Sequence, residues 1–284
     1  MRANRLPAIR GLRWVVEAFL IFRVAPVRQL LLNLAFLIAS TIVVALPLIG
    51  FAAIWLLFPA LMVGPHAVAR MAAGGATPAP DLLLSGFRQN LPAQLRMGGV
   101  FLGAMVVVLA GTALADDGRF AQAVIGYTHL ELGDLASPDL QRAMLIGAGL
   151  QTLLLGALWY APLLVAWHGL SATKAAFFSA AAALINWRAF LVYGVAVMLL
   201  FGLVLMLALG GAMLLGGSGA VQANSALFSV IWTLLPVWFA SSYLSYREVF
   251  SEDNALDIDP NPLQFPHEKA DAPRDLAPGG AGIH

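Results

Sequence analysis

Residues 189–246 read AFLVYGVAVMLLFGLVLMLALGGAMLLGGSGAVQANSALFSVIWTLLPVWFASSYLSY, a stretch with no Asp, Glu, Lys or Arg. A helix lying against water needs a polar or charged face, so a run this long and this apolar belongs in a lipid bilayer. Three more charge-free stretches stand earlier in the chain: Gln29 to Ala69, Met97 to Ala115 and Ala143 to Thr173. A spanning helix takes about 20 apolar residues. The stretch 29–69 is therefore two helices, with Pro47 and Gly50 near its middle. The stretch 189–246 also divides in two, at Gly216-Gly217-Ser218-Gly219, since glycine clusters mark turns.

The expected fold is all-α: a six-helix transmembrane bundle with spans at about 29–48, 51–70, 97–115, 143–167, 189–214 and 225–246. Charged residues make up 11% of the 284-residue chain and hydrophobic ones 60%, far from the quarter or so of charged residues usual in soluble domains. Residues 1–250 form the membrane domain. The Pro- and Gly-containing, acidic stretch 251–284 is expected to be a disordered cytoplasmic tail. The chain has no Cys, which excludes disulfides and thiolate metal sites. Its net charge of +1 gives no reason to expect nucleic acid as a partner.

Between the spans lie segments of another kind. Residues 7–25 read as an amphipathic surface helix with Trp14, Phe19 and Phe22 as its bulky apolar residues and Arg10, Arg13 and Arg23 as its charges. Residues 80–92 and 170–186 read as similar short segments. Residues 116–141 read as an acidic, solvated loop.

Six spans place both termini on one side. Arg2, Arg5, Arg10, Arg13, Arg23, Arg28, Arg70, Arg88, Arg96, Lys174, Arg188, Arg247, Lys269 and Arg274 fall on that side, and Arg119 and Arg142 on the other. The positive-inside rule makes the first side cytoplasmic in a bacterial inner membrane.

The edges of the spans suggest three units. An aromatic residue followed by Arg precedes each outgoing helix: Phe22-Arg23, Phe87-Arg88 and Trp187-Arg188. Each returning helix carries a proline, Pro59, Pro162 or Pro236, and a basic residue follows at Arg70, Lys174 or Arg247, at offsets of 11, 12 and 11. The expected unit is a surface helix, a span out and a span back, repeated three times. Proline removes a backbone hydrogen bond and kinks a helix, although membrane helices tolerate it where neighbours satisfy the freed carbonyl.

Candidate chemistry is thin. His66 and His168 lie seven and six residues after Pro59 and Pro162. They read as polar anchors near the cytoplasmic surface, since no third ligand stands at metal-binding spacing. Glu17 lies four residues after Arg13, the spacing of a local ion pair. Alternatively, Glu17, Arg23, Arg88 and Arg188 meet beneath the bundle and bind a phosphate-bearing headgroup, which arginine suits. Gly99 and Gly103, with Gly147 and Gly149, read as close-packing positions. No catalytic constellation, cofactor motif or metal site stands out, and no carboxylate lies within a span, as ion-coupled pumps require.

The segment Ala161-Pro162-Leu163-Leu164-Val165-Ala166-Trp167-His168-Gly169, with Lys174-Ala175 and Asn186-Trp187-Arg188-Ala189-Phe190, resembles an uncharacterised family of bacterial inner-membrane proteins known chiefly from betaproteobacteria. Ser245-Tyr246-Arg247-Glu248-Val249-Phe250 and Arg5-Leu6-Pro7 fit the same pattern. The layout is also similar to that of membrane domains that accompany glycerophosphodiesterases. The resemblance implies a multi-pass membrane protein and no assigned activity. The expected function is a non-enzymatic membrane scaffold, assembly or lipid-organising protein, with membrane lipids and other membrane proteins as partners. The alternative is a transporter or translocator of a neutral or lipidic substrate, using a cytoplasm-facing cavity between the units.

Overall fold

The computed structural model describes residues 3–46, 49–214 and 220–250. The expected turns at Pro47 and at Gly216 to Gly219, and the expected tail, lie outside the described residues. Every regular element among the described residues is helical. They run α1 (Arg10–Phe22), α2 (Pro26–Val44), α3 (Gly50–Ala73), a 3₁₀ turn (Pro80–Leu84), α4 (Ser85–Arg88) and α5 (Leu91–Asp116). Then follow α6 (Arg119–Val124), a 3₁₀ turn (Leu132–Ala136), α7 (Pro138–Ala157), α8 (Ala161–His168), α9 (Ala172–Ile185), α10 (Trp187–Leu214) and α11 (Ala220–Phe250).

Among the described residues six stretches are long and apolar enough to cross a bilayer: α2, α3, α5, the pair α7–α8, α10 and α11. They are three hairpins, each with an outer and an inner leg. Buried residues make up 44%, 39% and 50% of the apolar stretches of the returning legs α3, α7–α8 and α11, against 22%, 33% and 6% for the outgoing legs α2, α5 and α10. The returning legs are therefore the core. Their small and apolar residues pack against one another, with Val63, Leu163 and Leu164 almost fully buried.

The segments between hairpins pack in a consistent way. The 3₁₀ turn at 80–84 and α4 lie against α3, and α9 lies against α7 and α8. Helix α1 does not pack mainly on its own hairpin: it closes on α10 and α11 at the far end of the described residues. Each surface segment thus rests on the returning leg of a preceding hairpin, if the third hairpin is counted as preceding the first. Trp14 and Ala18 turn inward on α1, whereas Leu12, Val16 and Phe19 are exposed. So α1 is apolar on two sides, with Phe19 opposite the packed face that carries Trp14.

Close approach of helix backbones comes from glycines other than those expected, although Gly147 does sit at a packed position. A methyl group added at Gly98 of α5 would overlap the Leu56 carbonyl of α3, and one at Gly86 of α4 would overlap that of Ala60. Gly99, Gly103 and Gly149 have nothing within 4 Å of such a methyl group. Gly147 meets a side chain, Thr112, at 2.9 Å. The GxxxG spacing on α5 is real, but its stripe faces away from the bundle.

The loop at 116–141 is more ordered than an acidic, solvated stretch would be. Asp116 is buried, and its carboxylate accepts from the backbone N–H groups of Gly118 at 3.1 Å and Phe120 at 2.7 Å. It thereby satisfies free donors at the start of α6. Asp134 accepts from Arg119 at 2.8 Å and from the Glu131 backbone at 2.9 Å. The Glu131 N–H, ahead of Arg119, holds the Asp134 carboxyl below its usual range.

Candidate functional site

The fourth span is broken. Helix α7 ends at Ala157 and α8 begins at Ala161. Pro162 has no N–H to give the Leu158 carbonyl, so a helix running through this point would lose a bond there. The chain instead turns, and the Leu158 carbonyl accepts from Ala161 N–H at 3.1 Å. Proline near the start of α8 costs little, because the first N–H groups of a helix lack intrahelical partners anyway. Non-helical backbone at this depth must be satisfied by protein. Ser179 of α9 accepts from Tyr160 N–H at 3.0 Å, and the Gln94 side-chain amide of α5 donates to the Pro162 carbonyl at 3.0 Å. Pro59 and Pro236 lie inside α3 and α11. Pro162 marks a break instead. Pro65, a second proline inside α3, was missed in the sequence although it stands directly before His66.

A partly open cavity of about 110 Å³ lies beside this break. Phe58 and Met62 of α3, Phe101 of α5, and Leu155 and Trp159 at the break supply most of its wall, and α11 adds Trp238. Two polar side chains reach it, His66 of α3 and Ser242 of α11. His66 is not a surface anchor: it is 5% exposed. Its Nδ1 lies 2.7 Å from the Met62 carbonyl, so Nδ1 carries the proton and donates. Nε2 then accepts from the Ser242 hydroxyl at 2.9 Å. Both ring nitrogens are committed, and the pair is a closed cross-link between α3 and α11. The indole N–H of Trp159 is buried and has no partner among the described residues. His168 sits at the end of α8, exposed, with its ring 6.2 Å from that of Tyr246.

A second polar centre ties the two ends of the fold together. The Arg10 guanidinium donates through Nη1 and Nη2 to the two carboxylate oxygens of Glu17, at 3.1 and 3.2 Å. Its Nε donates to Glu248 Oε2 at 2.8 Å, and Nη2 donates to Glu248 Oε1. The Trp14 indole N–H also donates to Glu248 Oε2, at 2.8 Å. Burial works to lower the Arg10 pKa, but the hydrogen bond and charge of Glu248, then of Glu17, outweigh it and hold the group above its ordinary value.

Glu17 therefore pairs with Arg10 rather than Arg13. Arg10 lies on the buried stripe of α1 with Trp14, where its charge must be matched, whereas Arg13 is exposed. Beside this knot, Asn186 clamps the N-terminal segment: its Oδ1 accepts from Leu6 N–H at 2.8 Å and its amide donates to the Asn4 carbonyl at 2.9 Å.

The other arginines of the expected headgroup set are placed separately. Arg23 is exposed at the end of α1. Arg88 reaches Asp81 at 3.4 Å, and Arg188 lies over the Trp187 ring at 5.3 Å. Among the described residues no ion pair joins Glu17 to any of the three.

The chain is 34% identical, over 201 residues, to a probable inner membrane protein of Burkholderia thailandensis, a match that covers 69% of this chain and 74% of the relative. The chain belongs to that family of inner membrane proteins. The kinship expected from the Ala161–Gly169 and Asn186–Phe190 segments is thus met. No protein-family model matches the chain. No solved structure matches it. As a member of this inner membrane family it is a multi-pass protein, and the six apolar stretches among the described residues are long enough to cross.

Proposed function

We propose that this inner membrane protein is a non-enzymatic lipid-organising and assembly protein, with both termini in the cytoplasm and membrane lipids and other membrane proteins as its partners. The observation that carries this reading is the state of α10. Only 6% of its apolar stretch is buried; its buried residues, Ala189 and Tyr193, lie in its first two turns, and partly buried packing on the same core continues only to Leu200. Beyond them Met198, Leu203 and Met206 are all more than half exposed. A spanning helix anchored at one end offers most of its length to lipid or to another helix. The exposed positions of Arg23, Arg88 and Arg188 suit contact with anionic headgroups at the same surface. The asymmetry of basic residues supports the cytoplasmic assignment.

Purification in mild detergent, with mass spectrometry of what remains bound, tests the reading. The expected result is retained phospholipid that falls in the Arg88→Ala, Arg188→Ala double variant. A bare chain, or a double variant that keeps all its lipid, would count against it.

One observation favours a second reading, the translocation of a lipidic or neutral substrate. Broken helices line the binding sites of many transporters, and the α7–α8 break stands beside a cavity. Accelerated flip of a labelled lipid in vesicles that contain the protein would favour this reading over the first.

A further inference from the structure

Helix α1 lies across one end of the bundle. At its start Arg10 binds Glu248, two residues before the end of α11. Just past its end the Arg28 Nε donates at 3.0 Å to the carbonyl of Pro78, five residues beyond α3. The inner face of α1 is packed and the outer face is not. Ile9, Leu12, Arg13, Val16, Phe19 and Arg23 are exposed, and at 3.6 residues per turn they share about a third of the helix circumference. The carboxylate of α1, Glu17, turns away from them to Arg10. No ion pair among the described residues engages Arg13 or Arg23. The outer face is thus apolar and cationic together, and exposed patches of this kind mark interaction surfaces.

The sequence that follows α11 has the complementary character and starts in the right place. The Asn4 N–H donates to the Val249 carbonyl at 2.8 Å, and the next residue, Arg5, is exposed. Residue 251 therefore begins beside the approach to α1. From Ser251 to Glu268 the sequence has no Lys or Arg, and within 251–259 Glu252, Asp253, Asp257 and Asp259 are interleaved with Leu256 and Ile258. Nine residues reach at most about 30 Å, whereas α1, with 13 residues, is about 20 Å long. The whole outer face is within reach. Tethering also holds the segment near the face at an effective concentration on the order of millimolar, so weak contacts are enough to seat it.

We infer that the segment Glu252–Asp259 docks on the outer face of α1, with its carboxylates on Arg5, Arg13 and Arg23 and with Leu256 and Ile258 on Leu12, Val16 and Phe19. An anionic membrane surface is the competing occupant. The segment is favoured because it is tethered at the start of the face, and because α1 is tied to the ends of α11 and α3 rather than to their middles. The inference goes beyond the lipid-organising reading and does not require it. It places a removable cover over Arg23, whereas Arg88 and Arg188 stand on other helices.

The chain has no Cys, so a pair of engineered cysteines reacts only with itself. In the full chain, in vesicles of phosphatidylethanolamine and phosphatidylglycerol, Ala255→Cys is paired with Val16→Cys or, as a collision standard, with Thr173→Cys at an exposed position of α9. Disulfide closure under mild oxidation is followed by peptide mass spectrometry. The Val16 pair is expected to close on the order of tenfold faster than the Thr173 pair, the combined effect of a few exposed charge pairs and a tether. Arg13→Glu with Arg23→Glu should remove that advantage, and adding Asp257→Lys with Asp259→Lys should restore it. A second readout uses bimane on Val16→Cys, which should be quenched less by acyl-brominated phosphatidylglycerol than bimane on Met198→Cys of α10. Equal closure at Val16 and Thr173, or closure indifferent to charge reversal, would overturn the inference. Lipid quenching at Val16 as strong as at Met198 would overturn it too and give the face to the membrane. The lipid-organising reading fails separately, by loss of co-purifying lipid.

Discussion

Gly11 of α1 and Ala189 of α10 meet backbone to backbone. A methyl group added at Gly11 would overlap the Ala189 carbonyl oxygen and stand 2.6 Å from the Tyr193 backbone nitrogen. Neither obstacle is a flexible side chain, so α1 would have to lift away. Gly11→Ala is expected to destabilise the protein by about 1–3 kcal/mol, the usual cost of overpacking, read as a lower midpoint of thermal unfolding in detergent. Gly99→Ala, with open space around it, is the matched control and should leave the midpoint in place.

Glu248 binds Arg10 through Nε and Nη2 and also accepts from Trp14. Among the described residues Glu17 has Arg10 alone. Glu248→Gln should therefore cost more than Glu17→Gln. Full breakage of a buried pair costs about 3–5 kcal/mol. The Glu17 and Glu248 side chains keep 21% and 18% of their surface exposed, so a loss of about 2 kcal/mol is expected for Glu248→Gln, below that range. Urea unfolding of the two variants side by side checks the order, and an equal or reversed ranking would show that Glu248 is not the main partner.

Ser179→Ala should loosen the break in the fourth span. It leaves the Tyr160 N–H without its acceptor, and a buried unsatisfied donor costs about 1–3 kcal/mol. Hydrogen exchange of the peptide that spans residues 157–161 is the direct measurement. Faster exchange there, with α3 unchanged, is the expected pattern.

Arg88→Ala should change stability by less than about 1 kcal/mol, because its partner is a surface carboxylate and exposed pairs contribute little; the two side chains are 59% and 62% exposed. Unfolding midpoints of Arg88→Ala and wild type should coincide within that margin. This makes Arg88 a clean probe for headgroup binding: lipid lost from this variant is not lost through unfolding.

The charge gaps made the number and order of the spans legible, because a missing charge is a property of a stretch and needs no knowledge of its neighbours. Rotation about each helix was not legible in the same way. The spacing of Gly99 and Gly103 identified a small-residue stripe but not the side on which α3 would lie, and α3 meets Gly98. The offset of His66 from Pro59 gave its depth, while its burial depends on how α3 faces α11. Glu17 was found, but its partner was misread, since Arg13 and Arg10 are both in reach along one helix and only the burial of Arg10 decides between them. Glu248, separated from Arg10 by 238 residues, gave no local signal at all. The break at 158–160 did leave one, Pro162, whose missing N–H was read as a kink when a neighbouring Ser179 and Gln94 allow a full interruption.

The closing of α1 on α11 also sets a timetable. Helix α1 precedes α11 by about 200 residues of synthesis and has its principal partner there, with Glu248 two residues from the end of α11. Until nearly the whole of residues 3–250 has been made and inserted, Arg10 and Trp14 have no Glu248 to bind. The nascent chain must hold α1 in waiting at the membrane surface, where its exposed Leu12, Val16 and Phe19 give it an apolar footing, and the mature corner forms only once α11 has arrived.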